Sequence, residues 1–333
     1  MANLNIRNRA QKPFTPNSRI VFGLNLGGKI RRGSLIITGP IVVSAGTTSG
    51  TKQGDGGPLN LLQHLYVRAT PANGSRYMGG NIVDADPRDL ITNAIWQRSG
   101  KKFINLSGGT LGDGAAATYQ VYLEIPIYFA DASQKNSVST ALNTDPGVYQ
   151  SVQVEVLTGS LAACFTGNDR TVDYSGLLIE WKDDRVALPG DTLELFQENH
   201  VLQIAATNKR MIDPSMPQDG SFMSWQITSQ LDVAATLSDN LLNQVVIDGP
   251  TIDYNLYAND IRQSMLDDEW LDPAQDGTGM HLIDFTDGAV QANTVPAGSI
   301  DLYYDVNNVS GANLDTLSVF TRRVYAPAPA KAA

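Results

Sequence analysis

The chain has 333 residues (35.9 kDa), 42% of them hydrophobic and only 17% charged, with 30 glycines and 16 prolines. At roughly 100–200 residues per domain that length suggests two domains, and low charge with many turn formers argues against a helical bundle or coiled coil. A single cysteine, Cys164, rules out an intrachain disulfide, and three histidines (His64, His200, His281) disfavour most zinc enzymes.

No apolar run approaches the ~18 residues of a membrane span, and the N-terminus lacks the apolar stretch of a secretory signal. A protein made and kept in a cytoplasm, or carried out by other means, is expected. The formal charge of −10 is unevenly spread. Residues 1–54 contain eight basic groups (Arg7, Arg9, Lys12, Arg19, Lys29, Arg31, Arg32, Lys52) and no acidic one, whereas residues 189–333 hold six basic and twenty acidic groups. A basic arm on an acidic body reads either as a contact for an anionic partner, lipid or nucleic acid, or as a solvated tail. Aromatics do not alternate with these cations, so base stacking is not indicated.

In chain order, short β-branched or aromatic segments bounded by Gly, Pro, Asn or Asp predict strands near 19–26, 34–43, 61–69, 119–129, 152–157 and 177–181. Others follow at 201–205, 224–233, 242–247, 281–285, 300–306 and 317–325. A helix is predicted from Pro87, capped by Asp86, with Leu90, Ile91, Ala94 and Ile95 as its apolar stripe. A second, over 257–266, places Ile261 and Met265 on one face. A dozen strands with so few helices predict sandwiches, not an α/β sheet.

An internal repeat organises these elements. Asn60–Val67 aligns without a gap to Asn240–Ile247, and the same offset pairs Tyr77 with Tyr257 and Lys29 with Lys209. Downstream the strand order recurs, with the 119, 152 and 177 regions matching those at 281, 300 and 317. The boundary between copies is expected at the 187–191 turn.

With these features the chain resembles the double jelly-roll major capsid proteins of tailless icosahedral, often membrane-containing, bacteriophages. The resemblance spans about residues 18–325. It rests on strand order, the strand–turn–helix units at 60–96 and 240–270, and Leu-Glu-Ile-Pro-Ile-Tyr-Phe-Ala-Asp at 123–131. It implies an all-β chain of two tandem eight-stranded jelly-roll β-sandwiches with short inserted helices: a basic arm (1–17), jelly rolls over 18–188 and 189–325, and a flexible tail (326–333). It also implies a non-enzymatic subunit that forms pseudo-hexagonal homotrimers and tiles an icosahedral shell, without cofactors. The partners implied are neighbouring capsomers, penton and minor capsid proteins and an internal lipid membrane, with no sequence-specific nucleic acid. The location implied is the virion, reached from the host cytoplasm. Arg7, Arg9, Lys12, Arg31 and Arg32 become the candidates for inner-face or membrane contact.

Other chemistry finds little footing in the residues. The glycine cluster at 107–114 lacks the following helix and Lys-Ser/Thr ending of a phosphate loop. Asp84, Asp86 and Asp89, and Asp267, Asp268, Glu269 and Asp272, do not follow a calcium-loop pattern; capping and solvated loops account for them, with cation binding at a subunit contact as the alternative. Each histidine reads as a strand residue, Cys164 as a small buried one, and no nucleophile elbow occurs. Asn73, Asn105 and Asn308 begin Asn-x-Ser triplets that matter only in a secreted chain. The competing function is a carbohydrate- or receptor-binding β-sandwich protein such as a phage spike, which would expose an aromatic row from Trp96, Trp181, Trp225 or Trp270. A cupin-like enzyme would need a histidine-rich metal site.

Overall fold

The computed structural model describes residues 5–46, 51–52, 57–96, 104–106, 115–130, 139–160, 164–166, 171–187, 189–231, 236–249, 253–267, 278–285, 295–296, 300–311 and 314–327. The chain divides into two compact units between Glu194 and Leu195, just past the 187–191 turn.

The first unit contains β1 (Asn5–Pro13), β2 (Arg19–Gly23), β3 (Lys29–Val43), β4 (Leu62–Pro71), β5 (Gly80–Ala85), β6 (Ala117–Tyr128), β7 (Tyr149–Thr158) and β8 (Leu178–Val186). All their pairings are antiparallel, in two sheets ordered β1-β8-β3-β6 and β2-β7-β4-β5. Period-two alternation builds the core: Leu35 and Ile37 of β3, Leu123, Ile125 and Ile127 of β6, and Val152, Val154 and Val156 of β7 are all buried. Between β5 and β6 runs α1 (Pro87–Trp96), whose Leu90, Ile91 and Ala94 are buried. Asp86 caps it, Oδ1 accepting the Arg88 N–H at 2.8 Å.

β3 is fifteen residues long because it serves two successive partners. It pairs with β8 as far as Thr38–Leu178, and resumes with Val172 and Asp173 opposite Val43 and Val42. The change falls at Gly39–Pro40. Pro40 has no N–H to donate, and Gly39 (φ +133°) lies so close to Gly176 that a Cβ would meet its carbonyl oxygen at 2.3 Å.

The second unit contains β9 (Glu194–Ile204), β10 (Asn208–Ile212), β11 (Ser221–Leu231), β12 (Leu242–Asp248), β13 (Asp253–Tyr257), α2 (Ala258–Asp267), β14 (Met280–Asp284), β15 (Asp301–Val306) and β16 (Asp315–Tyr325). Its sheets run β9-β16-β11-β14 and β10-β15-β12-β13. Adding eight to each strand number of the first unit reproduces this order, so both units have the same eight-stranded jelly-roll topology. Trp225 sits at the centre of the second core, edge-on to Phe222 and Phe285 with ring centroids 5.0 and 4.8 Å away. Ile261 and Met265 of α2 pack into the same cluster.

Three expectations are corrected. Residues 5–13 are not an arm outside the first sandwich; they are β1, nine residues in register with β8. Lys29 opens β3 whereas Lys209 lies in β10, which is the counterpart of β2, so they are not equivalent. Tyr77 likewise precedes β5, while Tyr257 ends β13. The offset of 180 holds at Leu62 and Leu242, which open the equivalent strands β4 and β12, and fails where connecting loops differ in length.

Two predictions follow from the cores. The outer end of the Trp181 indole packs against Gly33, where an added Cβ would stand 2.1 Å from it. Gly33→Ala therefore lowers unfolding free energy by about 1–3 kcal/mol by overpacking, read from denaturant curves; an unchanged midpoint contradicts the packing. His281 of β14 is buried, and that burial pushes its pKa from 6.5 down to about 4, against Asp239, which raises it. The unfolded chain then binds a proton that the folded chain refuses between those values. Stability is complete above pH 6.5 and falls with acidification toward pH 4, by up to about 1.4 kcal/mol per pH unit. His281→Phe should flatten that slope in chemical denaturation across this range; parallel wild-type and variant slopes would refute the assignment.

Candidate assembly surfaces

At one end of the first unit, charged side chains are buried and tie loops together. β8 aims Ile179, Trp181, Asp183 and Arg185 at the same face, and the last two continue the apolar row as a buried ion pair. Arg185 Nε and Nη2 donate to the two Asp183 carboxylate oxygens at 2.7 and 3.0 Å, and Trp181 Nε1 donates to Asp183 Oδ2 at 2.9 Å. The remaining guanidinium nitrogen reaches the Asn25 carbonyl, and Gly27 O at 3.1 Å. Lys29, equally buried, donates to Gly190 O at 2.6 Å. Glu194 accepts the Met78 and Gly79 N–H groups at 2.7 and 2.9 Å and the Tyr149 hydroxyl at 2.9 Å. Burial first, and then the Glu194 charge, raise the Tyr149 pKa far above its ordinary value, so it stays a donor. These bonds make the 24–28, 72–79 and 189–194 segments a fixed platform.

The five cations singled out in the sequence do not share one role. Arg7 and Arg9 lie on β1, opposite Asp184 and Lys182 of β8. Lys12 donates to Val21 O at 2.5 Å and stands over the Phe22 ring. Arg32 is committed to Glu124 at 2.6 Å, an acceptor it shares with Ser34 and Tyr122. Burial and then Glu124 raise the Tyr122 phenol to about 12. Arg31 is half-buried and its carbonyl accepts the Phe129 and Ala130 N–H groups. Much of the basic segment is therefore spent inside the first unit. The same holds for Arg19, which with Arg68 flanks the buried Glu155 carboxylate on β7.

The second unit presents apolar and acidic surface. Ile212 on edge strand β10 and Tyr254 and Tyr257 on edge strand β13 are 62%, 49% and 57% exposed. Exposed apolar groups along sheet edges are what a protein partner covers. Across the same sheet, Asp248 stands opposite Asp301, two exposed like charges side by side, which is unfavourable without a countercharge.

The alternative sites fare as follows. His64 and His200 each bond an aspartate, Asp84 (2.6 Å) and Asp213, and His281 is sealed in the core. Burial raises the Cys164 thiol to about 12. Trp181 and Trp225 are buried, which takes them out of any exposed aromatic row. Residues 107–114, 268–272, the Trp270 position and the tail beyond residue 327 lie outside the described residues. Among the described residues no group of three or more His, Cys, Asp and Glu side chains could hold a metal ion. No helix among the described residues is long and apolar enough to cross a membrane. The Asp183–Arg185 pair and the Arg19–Glu155–Arg68 cluster were missed in the sequence. The former had a signal: two charges in phase with Ile179 and Trp181 on one strand.

No known family's sequence profile matches the chain, and no curated protein matches it. Among solved structures it is similar to the major capsid protein of Sulfolobus turreted icosahedral virus, with a TM-score of 0.68, 10% identity and 98% of each chain covered. It is similar to major capsid protein P2 of bacteriophage PM2 (TM-score 0.60, 11% identity, 98% of this chain and 100% of that one). The Faustovirus major capsid protein is another neighbour (TM-score 0.59, 9% identity, 98% and 90% covered). At such identities the likeness is one of fold, and the chain has the double jelly-roll fold of viral major capsid proteins.

Proposed function

We propose that this protein is a structural subunit of an icosahedral virus shell, working by self-association without a catalytic step. The observation that carries the reading is the same eight-strand order laid down twice along a chain that aligns almost end to end with viral capsid proteins. Two like units per chain make a threefold assembly nearly six-sided, a shape that tiles a closed shell with few kinds of contact. Charge supports a head-to-tail arrangement. Residues 195–326 hold eighteen acidic and five basic groups, whereas the rest of the chain holds nineteen basic and sixteen acidic ones. A contact between the second unit of one copy and the first unit of the next joins opposite signs, and it sets positive charge against the exposed Asp248 and Asp301. Pentons, minor capsid proteins and an internal membrane complete the partners in this reading. The lipid contact rests on Arg7, Arg9, Lys12 and Arg31, each contributing ~1 kcal/mol near an anionic surface.

Size exclusion with light scattering should show a species of three times the 35.9 kDa chain, which dissociates as salt is raised. A monomer at all concentrations and salts would overturn the trimer. Truncating the first seventeen residues cannot isolate the lipid contact, because it also strips β1 from the sheet. Replacing Arg7, Arg9 and Lys12 by Gln should leave the trimer intact and reduce co-sedimentation with phosphatidylserine-containing vesicles. Undiminished sedimentation would remove the lipid role.

A further inference from the structure

We propose that Asn73 is a site of spontaneous covalent modification, its side-chain amide being converted to a carboxylate through a cyclic imide with the Gly74 backbone nitrogen. This is the one Asn-Gly pair in the chain. It occupies the centre of a turn between β4 and β5, closed by the Ser75 N–H donating to Ala72 O at 3.0 Å. Both residues are exposed, Gly74 has φ +77°, and a Cβ there would meet nothing within 4 Å. The turn's bond engages Ala72 and Ser75 only; neither the Gly74 N–H nor the Asn73 side chain has a hydrogen-bond partner among the described residues.

Each of these features meets a requirement of the reaction. The Gly74 nitrogen gives its proton to a solvent base and attacks Asn73 Cγ. The bond from Cγ to the side-chain nitrogen breaks, and ammonia leaves with the returned proton, closing a succinimide ring. Water then opens either imide C–N bond, giving aspartate or isoaspartate. One water is consumed, one ammonia is released, and nothing is oxidised. Nucleophile and electrophile are held on adjacent residues, which supplies the high effective concentration, and glycine places no side chain in the path of attack.

The chain contains its own contrasts. Asn308 donates its side-chain nitrogen to Ile204 O at 3.2 Å, and the following Val309 N–H is committed to Asp315 at 2.7 Å. Asn143 donates to Tyr77 Oη at 3.4 Å, and the next N–H, of Thr144, bonds Gly28 O at 2.9 Å. Conversion at Asn73 adds a negative charge to the loop that carries Arg76, ion-paired to Asp191, and the two N–H groups held by Glu194. Isoaspartate also lengthens that loop's main chain, so the change marks the age of a particle on its fixed platform.

The full-length protein is incubated in mildly alkaline buffer, digested and followed by peptide mass spectrometry. The Asn73 peptide should gain the mass of NH2 replaced by OH and resolve into two isomers, while the Asn143 and Asn308 peptides stay unchanged. Asn73→Gln, whose longer side chain would have to close a larger ring, should lose the shift and keep the wild-type melting temperature. An Asn73 peptide that stays unmodified over the time in which the denatured chain converts would overturn the proposal. So would conversion of Asn143 or Asn308 at an equal rate in the folded protein.

Discussion

Strand β8 is made last in its unit and yet lies between β1 and β3, so neither of the two ladders that flank it can close until it arrives. Its nine residues pair with residues 5–13 on one side and 29–38 on the other. Contacts so distant in sequence cost loop-closure entropy before they return any stabilisation. β8 offsets that cost by burying Ile179 and Trp181 in the core, the indole packed against Gly33. β16 holds the same place in the second unit, between β9 and β11, with Leu317 and Val319 in the core.

A buried ion pair is a poor source of net stability, because desolvation consumes most of the attraction. The Asp183–Arg185 pair is better understood as a register device. A strand slipped by one residue would turn Trp181, Asp183 and Arg185 to the other face and leave two charges without partners. The alternating pattern of β8 is otherwise tolerant, since Glu180, Lys182 and Asp184 on its opposite face are also charged. Such a lock fixes the height at which the loops at either end of β8 emerge from the sandwich.

How much of this was legible in the sequence depends on burial. The strands anticipated from apolar patterning are those with neighbours on both sides or a dense inner face. The four that were missed, β1, β5, β10 and β13, are short or lie at sheet edges, where one row of backbone groups faces away from the sheet and polar residues are favoured. β1 is the extreme case: its Asn, Arg, Gln and Lys residues read as a solvated arm because nothing in the composition reveals that β8 waits for them. Asp86, by contrast, was legible as a cap because its bond to Arg88 is local. The Arg19–Glu155–Arg68 cluster joins three strands far apart in sequence, and no local spacing announces it.

The repeat teaches the same lesson at a larger scale. Eight residues at a fixed offset survive only in β4 and β12, while Lys29 and Lys209, or Tyr77 and Tyr257, fall on different elements. What both units share is an order of pairing, which constrains the alternation of apolar residues and leaves loop lengths and surface charge free to diverge. That freedom lets two sandwiches of one topology carry opposite charge within one chain. Where copies of such a chain meet, like units repel and unlike units attract, so the charge difference disfavours a symmetric contact between two identical sandwiches.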